Sequence, residues 1–462
     1  MSNIYGLLTI GSNALLIQQK AVDITGNNIA NVNTPGYSRQ RLNFVQNTPV
    51  QIPGATMSTG VTAESRIQRF YDQFLGRQLN SENGNLGRWE AQQSALEQVE
   101  SMFDDGSGFG LGSAMTTYWN AWQDVANNPS GYVERASLVS AGEQLAGTFK
   151  ELRSNLSGVQ KNIDTHIDST VDDINRMAEQ IAQLNGKITQ VEVNGHNAND
   201  YRDERDLLVN KLAKLIDVQS FEDGNGNVVV MVANGKPLVE ATSSWDLVSV
   251  DNGGVQDVYW QASSGATTDI TSDISGGEVK GWIEARDSVI ADYINRLDSL
   301  AGTMISQVNA LHSAGYALDG SQNDFFAGSD ASDIAVNSSI VADVNLVAAA
   351  TSNTALPGDN SNAIAIANLQ NSLTMSANSA TFDSYYGALV GDVGSDVRAA
   401  GLNYDHQTTM VNNLENYRQE VSGVSLDEEM VNLVKFQQAY NAAAKLITTT
   451  DRMLDTLMAI AQ

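Results

Sequence analysis

Two stretches of heptad-like apolar spacing, one at each end of the chain, constrain the fold more than any other feature. The C-terminal stretch, from Ser422, reads SGVSLDEEMVNLVKFQQAYNAAAKLITTTDRMLDTLMAIAQ, with neither Gly nor Pro after Gly423. Ser425 and Glu428 have the S-x-x-E spacing of a capping box, and Leu426 follows the cap. Asp427, Glu428 and Glu429 place negative charge on the positive end of the helix dipole. At 1.5 Å per residue such a helix runs roughly 55 Å. Phe436, Ala439, Ala443, Leu446, Thr450, Met453, Leu457 and Ile460 form one seam in steps of three and four. Met430, Leu433, Tyr440, Ala444, Ile447, Leu454, Met458 and Ala461 form a second beside it. Two adjacent seams make an apolar face too broad for one neighbouring helix to cover.

The N-terminus mirrors this pattern. Leu7, Ile10, Ala14, Ile17, Ala21 and Ile24 form one seam, and Ile4, Leu8, Gly11, Leu15, Val22 and Ile29 a second. Gly26, Asn27, Asn28 and Asn31 weaken the helix, and Pro35 excludes Thr34 from the α region and ends it. Pro35-Gly36 fits the centre of a type II turn, where Gly supplies the positive φ.

Between the ends, most of the chain reads as helix. Tyr37 to Glu64 is extended and turn-rich, and helix is expected from Arg66 to Phe103. A Gly-rich loop spans Asp104 to Gly112, followed by helices at Met115–Val125, Tyr132–Val193 and Tyr201–Ile216. Val228 to Val232 is a β-branched run bounded by Gly224-Asn225-Gly226 and Asn234-Gly235, both hairpin signals. Helix returns at Trp282–His312. A long connection from Gly315 to Asp359 should carry short elements near Ile334 and Val344. Helices are then expected at Ala363–Leu373, Thr381–Leu389 and Asp396–Val421. The fold class is mainly α with a small inserted β domain, its discontinuous domains nested from paired terminal coiled-coil helices outward. Residues 1–50 and 420–462 form the terminal domain, 51–216 and 280–419 an α-rich middle domain, and 217–279 the β-rich outer insert.

Composition narrows the function. Lys and Arg total 26 against 54 Asp and Glu, a formal net charge of -28. A nucleic-acid partner needs a basic footprint, and this chain has none. There is no cysteine, which removes disulfides, thiolate metal sites and cysteine nucleophiles. Met1 to Gln19 has no basic residue and no signal-like apolar core, so no Sec-type signal is expected. No run is long enough for membrane insertion. His166, His196, His312 and His406 are far apart, without ligand spacing. Asp223, Asn225 and Asn227 imitate the start of an EF-hand loop, but Val228 and Asn234 stand where Gly and Glu are required, so a hairpin turn is expected. Asp319, Ser321 and Asn323 fail in the same way. Gly106, Gly108, Gly110 and Gly112 follow two acids and precede no lysine, which argues against a phosphate loop. Asp203, Glu204 and Asp206 alternate with Arg202 and Arg205, read as a solvated helix surface with an Arg202–Asp206 pair. No catalytic constellation or cofactor site emerges, and the chain is read as a non-enzyme.

Two segments carry a resemblance. Asn28-Ile29-Ala30-Asn31-Val32-Asn33-Thr34-Pro35-Gly36-Tyr37-Ser38-Arg39 resembles the A-N-x-x-T-P-G-Y signature of bacterial flagellar rod, hook and hook-associated axial proteins. Ser425-Leu426-Asp427-Glu428-Glu429, with Phe436-Gln437-Gln438-Ala439-Tyr440, is similar to the C-terminal signature of the same superfamily. Trp119-Asn120-Ala121-Trp122, Asp203-Glu204-Arg205-Asp206 and Asn323-Asp324-Phe325-Phe326 resemble the hook-associated proteins of the hook–filament junction in particular. The resemblance implies a structural role, with the terminal helices pairing into an inner tube formed by copies of the chain. Leu7, Ile10, Ala14, Ile17, Ile24, Phe436, Ala443, Leu446, Met453, Leu457 and Ile460 would form the polymerisation interface, the ends staying disordered until assembly. It further implies hook protein and the next junction protein as neighbours, a cytosolic export chaperone at the C-terminal helix, the flagellar type III export apparatus, and an extracellular location. Alternatives within reach of the same residues are another axial protein, of hook or distal rod, or a secreted coiled-coil adhesin or effector.

Overall fold

A computed structural model describes residues 2–46, 50–52, 55–57, 61–103 and 110–460, and the side chains of 6–45, 67–103 and 110–460. Helix α1 (Ser2–Ala30) leads through a turn into strand β1 (Gln40–Gln46). The short strands β2 (Val50–Ile52) and β3 (Ala55–Met57) pair with each other, and β4 (Val61–Arg69) returns antiparallel to β1. Arg66 to Arg69, expected as helix, is therefore strand. Helix α2 (Gln73–Glu100) starts only after Asp72, whose carboxylate accepts from the Phe74 and Leu75 amides. Pairing with β1 outweighs the weak local helix signal there. Most of the expected Gly-rich loop lies outside the described residues, and its last two positions already belong to α3 (Leu111–Asn127).

Helix α4 (Tyr132–Glu192) is 61 residues long. Its apolar face at helical spacing, Leu156, Val159, Ile163, Ile167, Ile174, Ile181, Leu184 and Ile188, is buried, and Val191 is half-buried. Helix α5 (Asn199–Leu215) packs back on it. Two small antiparallel sheets follow. One has the order β5 (Val218–Glu222), β6 (Val228–Val232), β7 (Lys236–Glu240), β8 (Ser243–Ser244). The other joins β9 (Leu247–Asp251), β10 (Gln256–Gln261) and β11 (Thr267–Asp269), with β10 central. The β5–β6 turn is closed by the Asp223 carboxylate, which accepts from the Asn225 and Asn227 amides. Val230, Leu238, Leu247 and Val258 join one continuous apolar core with α4. Asn175 bonds both backbone groups of Leu247, and Asn185 bonds both of Val228. The strands are thus fastened to the long helix and share its core.

Helix α6 (Gly277–Glu284) continues through a π-turn (Ala285–Ile290) into α7 (Ala291–His312). The wider turn coincides with Arg286, a buried cation paired with Asp164 and Asp287. The long connection carries β12 (Phe326–Ala327), β13 (Ala335–Val336), α8 (Ser338–Ala342) and a 3-10 turn at Val344–Leu346. After α9 (Ser361–Ala367), two expected helices merge into α10 (Phe382–Ser422). Packing against α2 carries it through Gly391 and Gly394, at positions where propensity alone would stop it. Gly423 breaks the chain into α11 (Leu426–Ile460).

The aromatic centre of the bundle consists of Tyr118, Trp119, Trp122, Phe325, Phe326 and Phe382, all buried. His312 joins it. Its Nδ1 donates to the Asn323 carbonyl, and its Nε2 accepts from the Ala348 amide at 2.9 Å. Burial pulls its pKa down to about 4 from 6.5. Below pH 6.5 the unfolded chain gains a proton that the folded chain refuses, so stability falls as pH drops toward 4. The contribution is about 3 kcal/mol. His312→Gln is expected to show a deficit in urea unfolding at pH 7 that shrinks by about that amount at pH 4. A pH-independent deficit would contradict the buried neutral ring.

Candidate functional site

Both chain ends are helical, and their seams pack on each other. Ile17, Ala21, Ile24 and Leu42 form a separate small core, against which Ile67 and Phe436 pack. The Phe44 and Phe436 rings stand 6.1 Å apart. Further along, Ala443 and Thr450 are buried, and a side chain at Gly11 would stand 2.8 Å from Ile447 Cγ1. Gly11 has no Cβ, which lets the Ile447 side chain lie against the α1 backbone there.

The expected interface residues therefore divide. Ile17, Ile24 and Ala443 are buried in the chain's own helix pair and are not open to a neighbour, which corrects their assignment. Ile10, Ala14 and Phe436 are half-buried. Leu7, Leu446, Met453, Leu457 and Ile460 face outward, the last four 37%, 54%, 48% and 77% exposed. Leu16, Met430, Val431, Val434 and Met458 extend this outer surface. The contact inside the chain runs between the two predicted seams, leaving apolar residues of both in the open.

At the base of the pair, the motif turn is type II. The Tyr37 amide donates to the Thr34 carbonyl at 3.2 Å, and Gly36 has φ +80°. Pro35 presets the first corner. A side chain at Gly36 would stand 3.1 Å from Leu207 Cβ on α5. Asn31 reaches back to the Asn27 carbonyl and accepts from the Thr34 hydroxyl, while Ala30 is the exposed last residue of α1. The helix ends at Ala30, earlier than Pro35 requires, because these side chains offer the backbone competing bonds.

Asn28 organises the joint. Its Nδ2 donates to the Gln40 carbonyl at 2.9 Å and to Glu429 Oε2 at 3.1 Å. Its Oδ1 accepts from the Tyr37 hydroxyl at 2.8 Å and the Gln40 amide at 3.0 Å. All four bonds an amide side chain can make are formed. Glu429 is 2% exposed, and its other oxygen accepts from Arg39 Nε at 2.8 Å. Arg39 also reaches Glu428 at 2.6 Å, and its amide bonds the Ser422 carbonyl. Glu428 is thereby drawn from the expected capping box, of which a single long contact of 3.5 Å to Ser425 remains. Leu426 and Asp427 are exposed.

The acidic row on α5, read from sequence as solvated, is instead the docking surface for this joint. Asp203 is buried and accepts from the Ser38 amide at 2.9 Å and from Arg69 at 2.8 Å. Asp206 binds the other arm of Arg69 at 2.7 Å, and Asp200 accepts from Gln40. Arg202 pairs with Glu192 and Glu222, not with Asp206, and Arg205 is fully buried on Asn185 and the Gly226 carbonyl. Burial pulls Arg69 down, but Asp206 and Asp203 outweigh it and its pKa is raised. Burial, then Asp200, Asp203 and Glu429, push the Tyr37 hydroxyl up, keeping it a neutral donor. Gln40 and Arg69 carry no site expectation from sequence, and Asn28 and Asp203 carry other ones there, as a helix-weakening residue and a solvated acid. Their signal was a run of Asn closing an apolar helix and an acid–base alternation whose solvation cannot be read from spacing.

Arg39 with Glu428 and Glu429, and Arg69 with Asp203 and Asp206, are paired across segments, an arrangement suited to fastening those segments together. Among the described residues, no group of three or more His, Asp or Glu side chains is placed to hold a metal ion. Among them too, no helix is long and apolar enough to cross a membrane.

Comparison with known proteins gives the same outline. Residues 96–326 match the family model for the flagellar hook-associated protein FlgK helical domain. Residues 8–37 match that for flagella basal body rod protein, and 415–460 that for the flagellar basal body rod FlgEFG protein C-terminal region. The chain is 30% identical to flagellar hook-associated protein 1 of Bacillus subtilis, over 99% of this chain and 98% of that one. It is 26% identical to the protein of the same name from Salmonella typhimurium, over 100% of both. The solved flagellar hook junction protein FlgK from Burkholderia pseudomallei has the same fold at a TM-score of 0.67 and 18% identity, covering 75% of this chain and 100% of that one.

Proposed function

This chain belongs to the flagellar hook-associated protein 1 family, and from that membership we propose that it is a structural axial component of the bacterial flagellum, assembling at the junction between hook and filament. The observation that carries the assembly role is the apolar row Leu446, Met453, Leu457 and Ile460, left exposed beside Ala443 and Thr450, which the contact with α1 has already buried. Neighbouring copies cover that row, making an inner tube of helix pairs, with the helical middle outside it and residues 217–279 outermost. Hook protein lies on one side and the next junction protein on the other. Burial at about 25 cal/mol per Å² of apolar area drives assembly, against the cost of ordering and docking each subunit.

The exposed row also bears on export. A helix with so much open apolar surface is an aggregation hazard in the cytoplasm, and a chaperone holding α11 removes it. Passage through the flagellar type III apparatus then delivers the chain to the cell exterior.

Electron microscopy of a strain lacking this chain tests the assignment. Complete hooks without filaments, with flagellin released to the medium and filaments restored by the intact chain, are expected. Normal filaments, or loss of the hook itself, would refute the junction assignment.

A further inference from the structure

Six asparagines precede a glycine, Asn83, Asn185, Asn194, Asn225, Asn234 and Asn252. An Asn-Gly pair is chemically labile. The glycine nitrogen, unshielded by a Cβ, attacks the asparagine Cγ and expels ammonia, closing a five-membered imide. Water then opens either imide carbonyl, giving aspartate or isoaspartate with no change in oxidation state. The attack needs a side chain free to turn, a glycine N–H that is not engaged, and a backbone able to leave its resting conformation. Five of the six sites lack at least one of these. Asn83 and Asn185 lie inside α2 and α4, and the Asn185 amide also donates to the Val228 and Ala241 carbonyls. The Asn194 side chain donates to the Gln190 carbonyl at 3.0 Å, and the Gly195 amide to the Glu192 carbonyl at 2.9 Å. After Asn225, the Gly226 amide donates to the Asp223 carbonyl at 3.2 Å. The Asn252 side chain donates to the Asp257 carboxylate at 3.0 Å.

Asn234 meets all three conditions. It is exposed at the tip of the β6–β7 hairpin, and among the described residues neither its side chain nor the Gly235 amide has a hydrogen-bond partner. No atom stands within 4 Å of where a Gly235 side chain would begin. Ala233 and Asn234 both occupy the left-handed region, at φ +40° and +57°, and none of the other five asparagines does. A residue with a Cβ is strained there, so opening this turn releases strain, where opening the others only breaks contacts. We propose that Asn234 is the preferred deamidation site of the folded chain, and that its conversion loosens the β6–β7 hairpin. Lys236, the one cation between residues 217 and 279, holds its ammonium 5.2 Å from the Trp260 ring, whose Nε1 donates to the Pro237 carbonyl. A new carboxylate two residues away competes for that ammonium, and isoaspartate adds a methylene carbon to the backbone of the turn. Turn geometry sets the register of a hairpin, and this pairing is already irregular between Val230 and Met231. The reaction is independent of the junction assignment.

The full chain is aged at mildly alkaline pH, where loss of the glycine amide proton speeds the attack, and peptide mapping by mass spectrometry follows each of the six sites. The Asn234 peptide is expected to convert at least about tenfold faster than the Asn194, Asn225 and Asn252 peptides. Earlier conversion at any other site, or a common rate, would overturn the assignment. In urea the six rates should converge, because the fold selects the site. A lead for Asn234 that persists in urea would place the preference in its flanking residues and overturn the structural argument. Hydrogen exchange in residues 228–240 should be faster in the aged parent chain than in the fresh one. It should not change with ageing in Asn234→Gln, whose longer side chain closes a ring slowly. Equal exchange in aged and fresh parent chain would overturn the loosening of the hairpin.

Discussion

Leu446→Asp is expected to exclude the chain from the flagellum while the helical middle folds normally. Leu446 is 37% exposed at the edge of the contact between α11 and α1, so the substitution also loosens the helix pair. In the tube proposed above, the substitution exchanges a leucine covered by a neighbouring copy for a carboxylate without a partner. The apolar loss is about 1.5–3 kcal/mol, and an uncompensated buried charge adds several more. Together these weaken each subunit contact by about a thousandfold or more. Leu446 also lies beside Gly11, so Leu457→Asp, further out on the same row, separates the two effects. Both variants, expressed in a strain lacking the parent chain, should leave hooks bare in electron micrographs. Both purified monomers should keep the parent's near-UV circular dichroism. Filaments of normal length from either variant would remove the outward row from the interface.

Arg69→Met should release the β1–β4 hairpin, and with it the base of the helix pair, from α5. Arg69 forks across Asp203 and Asp206 at 2.8 and 2.7 Å, and Asp203 is buried. Removing the guanidinium strands a carboxylate, at a cost of about 3–5 kcal/mol. Hydrogen exchange should accelerate in residues 38–46 and 67–72 and stay unchanged in α4 and α7. Arg69→Lys should recover only part of the protection, because one ammonium cannot serve two carboxylates in fork geometry. Equal exchange in the parent and Arg69→Met would assign the anchoring to the Ser38 and Asn199 backbone contacts instead.

The helical periodicity was legible wherever one face stays apolar over many turns. The buried faces of α4 and α7 and the paired terminal seams follow from spacing, because a 3.6-residue period leaves a mark in sequence. The two hairpin turns at Asp223 and Asn234 were legible through turn chemistry that acts within a few residues. Strand β4 was not, since Ile67 and Arg69 become strand through pairing with β1, more than twenty residues away. Nor was the continuity of α10, which packing on α2 carries through its glycines.

For the terminal region, the sequence by itself determined that two long helices carry more apolar surface than one partner can cover, and that a Pro-Gly turn closes the first. Only the tertiary structure decided which residues are used up inside the chain, Ile17, Ile24 and Ala443, and which remain outside, Leu446, Met453, Leu457 and Ile460. A repeat of three and four places all of them on one broad face and cannot divide it. The division follows from how α1 and α11 lie against each other in the folded chain, with Asn28, Arg39 and Glu429 meeting at the base of the pair. Contacts between residues hundreds of positions apart leave no periodic trace, because the energy that selects them belongs to the pairing and not to either segment.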